Sequence, residues 1–316
     1  MRSMMCKVVM GVCLLVLSGQ LVMAQATAKP AKKRPPFKWV NKMPKGEFPG
    51  VHHKTFVSPS MKIPVGYCIY LPPKYADSKQ SSRRYPVVYY LHGGRPGSET
   101  KSIRLSPVID GAIRSGKVPP MIYVFVNGGE VSHYNYPQKK SMGEDVFVKE
   151  LIPHVDATYR TIASRPGRGL EGFSQGGRGT TRIMFKHPEL FCSAAPGGAG
   201  HSTEKKISEN DGRENENLKF SPGYNTWDLA RQYASKPRLQ PQLKILVHVG
   251  TKGFNYQNNL QYMDFLDSLE IPYQRLIVED VPHSAMQIYQ QQGLKIMQFH
   301  VKNFRQAGGL PVGKTR

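Results

Sequence analysis

At 316 residues and 35.5 kDa the chain is long enough for one large α/β domain or two small ones. An apolar fraction of 39% is modest, but 13 Phe and 16 Tyr supply a sizeable core and exclude a disordered chain. Lys and Arg outnumber Asp and Glu by 44 to 22, a net charge of +22 that attracts polyanions; no nucleic-acid motif accompanies it, so specific nucleic-acid binding is not expected.

The chain opens with a short basic start, "MRSMMCK", an apolar run, "VVMGVCLLVLSGQLVMA", and small residues at "AQA". That order predicts a secretory signal peptide over residues 1–26, cut after Ala24 or Ala26, and a secreted or periplasmic mature protein. The stretch "QATAKPAKKRPP" adds no second apolar span, so no transmembrane anchor is expected after cleavage. Cys6 and Cys13 leave with the leader. Cys68 and Cys192 remain in apolar surroundings, which favours two buried thiols over a disulfide, and no spacing suggests zinc. Residues 27–50 form a basic, Pro- and Lys-rich lead segment expected to run as an extended, poorly ordered tail. A solvated tail is favoured over one that grips an anionic surface or glycan.

From residue 51 to 306 apolar runs alternate with amphipathic stretches, leaving 307–316 as a C-terminal tail. "VGYCIYLPP" and "YPVVYYLHGG" read as strands, "SPVIDGAIRSG" as a helix and "MIYVFVNGG" as a buried strand. "EDVFVKELIPHVDATY" puts Val146, Val148, Leu151, Ile152 and Val155 on one helical side. Strand "RGLEG", helix "GGRGTTRIMFKH", strand "FCSAAPGG", helix "NTWDLARQYAS", strand "LKILVHVG", helix "NNLQYMDFLDSLE", strand "YQRLIVED" and a last helix over "SAMQIYQQQGLKIMQFHVKNF" follow. Continuous apolar strands such as "PVVYYL" imply burial on both faces. A single α/β domain with a mostly parallel sheet and helices on both faces is expected. Two long connections, "NGGEVSHYNYPQKKSMG" and "GGAGHSTEKKISENDGRENENLKFSPGY", follow strand carboxyl ends, the rim where such sheets bind ligands.

"EGFSQGG" sets Gly172, Ser174 and Gly176 as G-x-S-x-G between a strand and a helix. There a serine is forced onto a tight turn with the helix's positive end behind it, and a mere packing corner would need no serine at its apex. Ser174 is therefore the candidate nucleophile. Its base should come late, and His283 in "VPHSA" follows the last strand. His154 falls mid-helix and His248 within a core strand, while His133 and His201 are loop residues that could contact substrate. "YYLHGGRPGS" puts His92, Gly93 and Gly94 after an early strand. The expected oxyanion donors are the backbone N–H of Gln175 and that of Gly94 or Arg95, with a plain tight turn as the competing reading.

Together with "IYLPPKY", "VFVNGG", "KELIPHVDATYRT" and "GRGLEGFSQGGRGTTRIMFKHPELFCSA", these stretches resemble the esterase family of α/β-hydrolases that includes esterase D, feruloyl and acetyl-xylan esterases and related acyltransferases. The resemblance spans nearly the whole mature chain. It implies an α/β-hydrolase fold and a serine esterase acting through an acyl-enzyme on small-molecule or polysaccharide esters, acetyl or feruloyl among them. Ser174 and His283 would be catalytic, with no metal or organic cofactor. The chain departs from the family at one place: the usual acid follows "LKILVHVG" in a G-T-x-D turn, and "HVGTKGFNY" has Gly253 there. Asp280, Glu279 and Asp228 are the carboxylates that could substitute, Asp228 looking more like a helix-start residue. Two other readings stay open, a catalytically weakened glycan-binding protein on a hydrolase scaffold and an acyltransferase. The tyrosines of "SHYNYP" could stack on a sugar or aromatic acid, or simply pack their loop.

Overall fold

Strands that are apolar on both faces need cover on both, and the intervening helices supply it. The computed structural model describes residues 36–131, 133–136, 140–202, 223–237 and 239–311. Its main sheet has eight strands: β1 (Val51–Val57), β2 (Pro64–Tyr70), β3 (Val87–Leu91), β4 (Ile122–Val126), β7 (Arg168–Phe173), β8 (Ser193–Gly197), β9 (Lys244–Lys252) and β10 (Gln274–Pro282), with a small hairpin of β5 (Asn135–Tyr136) and β6 (Ser141–Met142) beside it. The spatial order is β1-β2-β4-β3-β7-β8-β9-β10; β2 runs antiparallel to both its neighbours and every other adjacent pair is parallel. All the expected strands appear. β1 is an addition, missed because "VHHKTFV" is an edge strand with only Phe56 buried, so its sequence carries almost no apolar signal.

Side-chain alternation splits the core between the two sheet faces. Tyr67 and Ile69 of β2 point to one side, Cys68 and Tyr70 to the other. One face is covered by α1 (Ser106–Arg114) and α7 (Ala285–Gln306). The other carries α2 (Gly143–Asp145), which runs through a π-helical stretch (Val146–Leu151) into α3 (Ile152–Thr158), and then α4 (Gln175–Lys186), α5 (Thr226–Ala234) and α6 (Tyr256–Ser268). Cys68 and Cys192 are buried and unbridged. Among the described residues no helix is long and apolar enough to cross a membrane. The leader at residues 1–26 and most of the second long connection, 203–222, lie outside the described residues.

The second half of the lead segment is seated on the domain, where a poorly ordered tail was expected. Gly66 N–H donates to Trp39 O (2.7 Å), and Asn127 Nδ2 donates to Lys38 O and Trp39 O (3.1 Å each). The buried Glu99 carboxylate accepts from Asn41 N (2.7 Å), Asn41 Nδ2 (2.9 Å) and Asn127 Nδ2 (2.9 Å). Composition could not reveal this, because the segment is held largely through its backbone.

A second buried carboxylate ties the rim loops to α4. Glu144 takes Arg182 Nη2 (2.9 Å), Lys186 Nζ (2.5 Å) and Tyr224 OH (2.5 Å), while Arg182 also donates to His133 O (3.0 Å) and Tyr224 O (3.0 Å) and lies over the Tyr134 ring (3.6 Å). Burial alone would raise the Glu144 pKa; His187, Arg182 and Lys186 outweigh it and hold the carboxyl below its usual range. Removing one partner strands the other in the core, which costs about 3–5 kcal/mol. Glu144→Gln should therefore lower unfolding free energy by about 3 kcal/mol in urea titration, and Asp264→Asn, in an exposed pair with Arg275, by less than about 1 kcal/mol. Equal losses would show that the buried pair adds nothing.

Candidate active site

β7 ends at Phe173 and α4 starts at Gln175, so Ser174 makes the whole turn between them. It does so at φ 61°, ψ −120°, a conformation that costs a non-glycine residue roughly 1–3 kcal/mol. Ser174 N–H donates to Gly197 O (2.9 Å) and Arg178 N–H to Ser174 O (3.0 Å). A Cβ on Gly172 would lie 2.4 Å from Gly176 O, and one on Gly176 would lie 1.9 Å from Leu91 O. Both obstacles are backbone and cannot yield, so G-x-S-x-G is the steric condition for seating the start of α4 against the end of β3. The first-turn N–H groups of α4 face back toward the turn.

His283 follows β10, and its Nε2 lies 2.8 Å from Ser174 Oγ. Its Nδ1 lies 3.1 Å from Oδ1 of Asn255, a buried residue at the head of α6. The Asn255 amide nitrogen donates to Ala199 O (3.0 Å) and to Gly198 O. With both N–H groups given to carbonyls, the amide oxygen is the atom that faces His283. That oxygen can only accept, so Nδ1 carries the imidazole proton and Nε2 is left to take one from Ser174. Burial pushes the His283 pKa down to about 4.

None of the three expected carboxylates bonds to His283. Asp280 is exposed and pairs with Lys252 (2.8 Å); Glu279 is exposed; Asp228 takes Asn225 Nδ2 (2.9 Å) at the start of α5 and pairs with Arg231 (2.8 Å). Gly253 makes the turn after β9, its N–H on Gly250 O (3.0 Å) and its O on Tyr256 N (2.9 Å). That turn delivers Asn255 two residues beyond the expected acid. The signal lay in "GTKGFNY", but a search confined to carboxylates passes over an amide.

The loop after β3 runs against the serine: a Cβ on Gly93 would sit 3.1 Å from Ser174 Cβ. Lys101 Nζ reaches Gly94 O (3.2 Å), Gly93 O (3.4 Å) and Pro96 O (2.5 Å). In a trans peptide the C=O and the following N–H point opposite ways. Lys101 therefore turns the N–H groups of Gly94 and Arg95 away from itself. Buried His92 braces the same loop, its Nδ1 on Gly93 O (3.2 Å) and its Nε2 accepting from Ser98 N (3.3 Å) and Gly128 N (3.1 Å).

Of the other histidines, His133 and His201 depart from the expectation, while His248 and His154 lie where the sequence placed them. His133 and His201 are buried, not exposed to substrate: His133 Nε2 bonds His92 O (3.0 Å), and His201 stacks on Tyr262 with ring centroids 3.5 Å apart. Tyr134 of "SHYNYP" packs against Arg182. His248 sits in the core and His154 in α3. Among the described residues no cluster of His, Cys, Asp or Glu is arranged to hold a metal ion.

A mostly parallel sheet that presents a serine on a strand-to-helix turn, facing a histidine after the last strand, is the α/β-hydrolase fold. Residues 58–273, more than half of the chain, match the family model described as "Putative esterase", and the chain belongs to that esterase family. An esterase of Mycobacterium tuberculosis is 32% identical over 123 residues, covering 38% of this chain and 26% of that protein. An endo-1,4-beta-xylanase/feruloyl esterase of Xylanibacter ruminicola is 30% identical over 133 residues, covering 39% of this chain and 18% of that protein. The chain thus matches about a quarter or less of the length of these curated relatives. A solved ferulic acid esterase superposes with a TM-score of 0.66 at 21% identity, covering 80% of this chain and 98% of that one. An S-formylglutathione hydrolase from Staphylococcus aureus does so with a TM-score of 0.66 at 19% identity, covering 79% and 98%.

Because the His283 pKa lies below the ordinary 6.5, the imidazole stays neutral, and able to accept a proton, until the pH falls to about 4. The rate at which a fluorophosphonate probe labels Ser174 should fall to half its plateau near pH 4; a midpoint near 6.5 would reject this. Asn255→Asp should label more slowly at neutral pH, by about tenfold, because a carboxylate takes the amide donor from Gly198 O and sets an oxygen against both Gly198 O and Ala199 O, at a cost of about 1–3 kcal/mol.

Proposed function

We propose that the protein is a serine carboxylic-ester hydrolase that works through an acyl-enzyme. The observation that carries this reading is the 2.8 Å contact between His283 Nε2 and a serine held at positive φ. Ser174 Oγ attacks the ester carbonyl carbon as its proton passes to His283 Nε2, and Asn255 Oδ1 holds the Nδ1 proton throughout. The oxyanion is received by the N–H of Gln175, at the head of α4, and by that of Gly94 or Arg95, in the loop that Lys101 holds from behind. Collapse expels the alcohol, protonated by His283, and water repeats the sequence to free the acid.

The substrate class we infer is an acetyl, feruloyl or other acyl ester of a polysaccharide. Two features support it, the feruloyl esterase and xylanase names carried by relatives and a basic sequence that opens on an expected export leader. A leader over residues 1–26 would send the enzyme to where such polymers are found. The alternative of a glycan-binding protein that lost catalysis at Gly253 has less to recommend it once Asn255 orients the histidine.

Wild-type protein should form a covalent adduct with a fluorophosphonate probe, and Ser174→Ala should not, with ester hydrolysis lower by about three orders of magnitude or more. A folded wild-type protein that takes no label would sink the catalytic reading. Lys101→Met should lower kcat by roughly tenfold with little change in KM, since losing one oxyanion donor outright costs about 100-fold or more. Lys101→Arg should recover most of that loss; KM rising in step with the fall in kcat would argue instead for a substrate contact.

A further inference from the structure

We propose that Phe254 is the platform of a leaving-group subsite, one that takes the ring of a sugar whose hydroxyl carries the ester; this rests on the serine-hydrolase reading above. Among the described residues Phe254 is the most exposed large apolar side chain, at 70%. It stands between Gly253 and Asn255 in the turn from β9 to α6, and its ring centroid lies 4.2 Å from that of His283, the planes tilted by 45°. The imidazole has a second aromatic neighbour, Phe173, at 4.8 Å, but that ring is buried. Of the two rings against the histidine, one is sealed in the core and the other is open to solvent.

The position of Phe254 is as tightly set as that of the histidine. Gly253 on one side is locked by Gly250 O and Tyr256 N, and Asn255 on the other by Gly198 O, Ala199 O and His283 itself. Exposure here is a property of a fixed turn.

The reaction says what meets the open ring. The Ser174 Oγ to acyl-carbon bond forms as the bond from that carbon to the alcohol oxygen breaks, and the proton moves from Oγ through His283 Nε2 to the departing oxygen. That oxygen must therefore come within hydrogen-bond reach of the same nitrogen. With the carbonyl oxygen directed to Gln175 and the loop after β3, the alcohol lies on the His283 side, beside Phe254. A sugar ring has an apolar C–H face to lay on an aromatic ring while its hydroxyls stay in water. A methyl alcohol is too small to cover the ring.

Paired esters of one acyl group, acetyl or feruloyl, with methanol and with an arabinose or xylose unit as alcohol, test this. The ratio of kcat/KM for the sugar ester over the methyl ester should fall about tenfold in Phe254→Ala, mainly through KM, and be kept in Phe254→Trp. An unmoved ratio, even with both rates lowered, overturns the subsite and leaves Phe254 as a shield of the imidazole. Wild-type protein that takes the fluorophosphonate label but shows no preference for the sugar ester also overturns it, while the hydrolase reading stands. Absence of label removes both.

Discussion

One stretch of backbone, Gly197 to Ala199 at the carboxyl end of β8, fixes both ends of the hydrogen-bonded chain that runs from Ser174 through His283 to Asn255. Gly197 O takes the Ser174 N–H, while Gly198 O and Ala199 O take the two protons of the Asn255 amide. Gly198 N–H in turn donates to His248 O (2.7 Å), which pins this stretch to β9. The unfavourable φ of Ser174 persists because β3, β7 and β8 all constrain it, through Gly176 against Leu91 and through Gly197. Neither the serine nor the histidine could be placed by its own element alone.

The electrostatics around this chain differ from those of a site built on a carboxylate. His92, His133, His201, His248 and His283 are all shifted toward the neutral form by burial, His133 to about 3 and His248 to about 4. The carboxylates that are buried nearby serve the scaffold: Glu99 holds the lead segment and Glu144 holds Arg182. The loop after β3 instead carries an ammonium, Lys101, against its carbonyls. Positive charge behind that loop favours an anion in front of it, which suits an oxyanion more than it suits an imidazolium.

Much of this was legible in the sequence, and what was not has physical causes. The continuous apolar strands, the glycine and proline boundaries and the small residues around Ser174 each answer to a local steric or burial requirement, so each leaves a local trace. β1 left none, since an exposed edge strand is held by its ladder and not by its side chains. Asp280 misled by closeness in sequence to His283. The register of β10 shifts between Val278 and Pro282, Asp280 takes φ 58°, and its side chain turns outward to Lys252. Asn255 was hidden for the opposite reason. An asparagine at a helix head suggests a cap, yet here its side chain turns away from the helix to carbonyls 56 and 57 residues earlier.

Those carbonyls also decide whether Asn255 is a degraded acid or the residue its surroundings require. A carboxylate orienting a histidine needs donors around its second oxygen, because it has only lone pairs to offer. At Asn255 the neighbours are Gly198 O and Ala199 O, both acceptors, and Asn259 Nδ2 donates to Ala199 O (2.7 Å) and Asn255 O (2.8 Å), leaving the side chain to satisfy the rest. An ionised Asp would meet two carbonyl oxygens with nothing between them. An amide in an environment built for a carboxylate turns its nitrogen to the histidine and imposes the wrong tautomer; here the environment is built for the amide, so the oxygen faces Nδ1 and the tautomer is the one that the proposed mechanism requires. Under the proposed mechanism the site gives up the charge opposite an imidazolium and keeps the geometry that sets Nε2 2.8 Å from Ser174 Oγ.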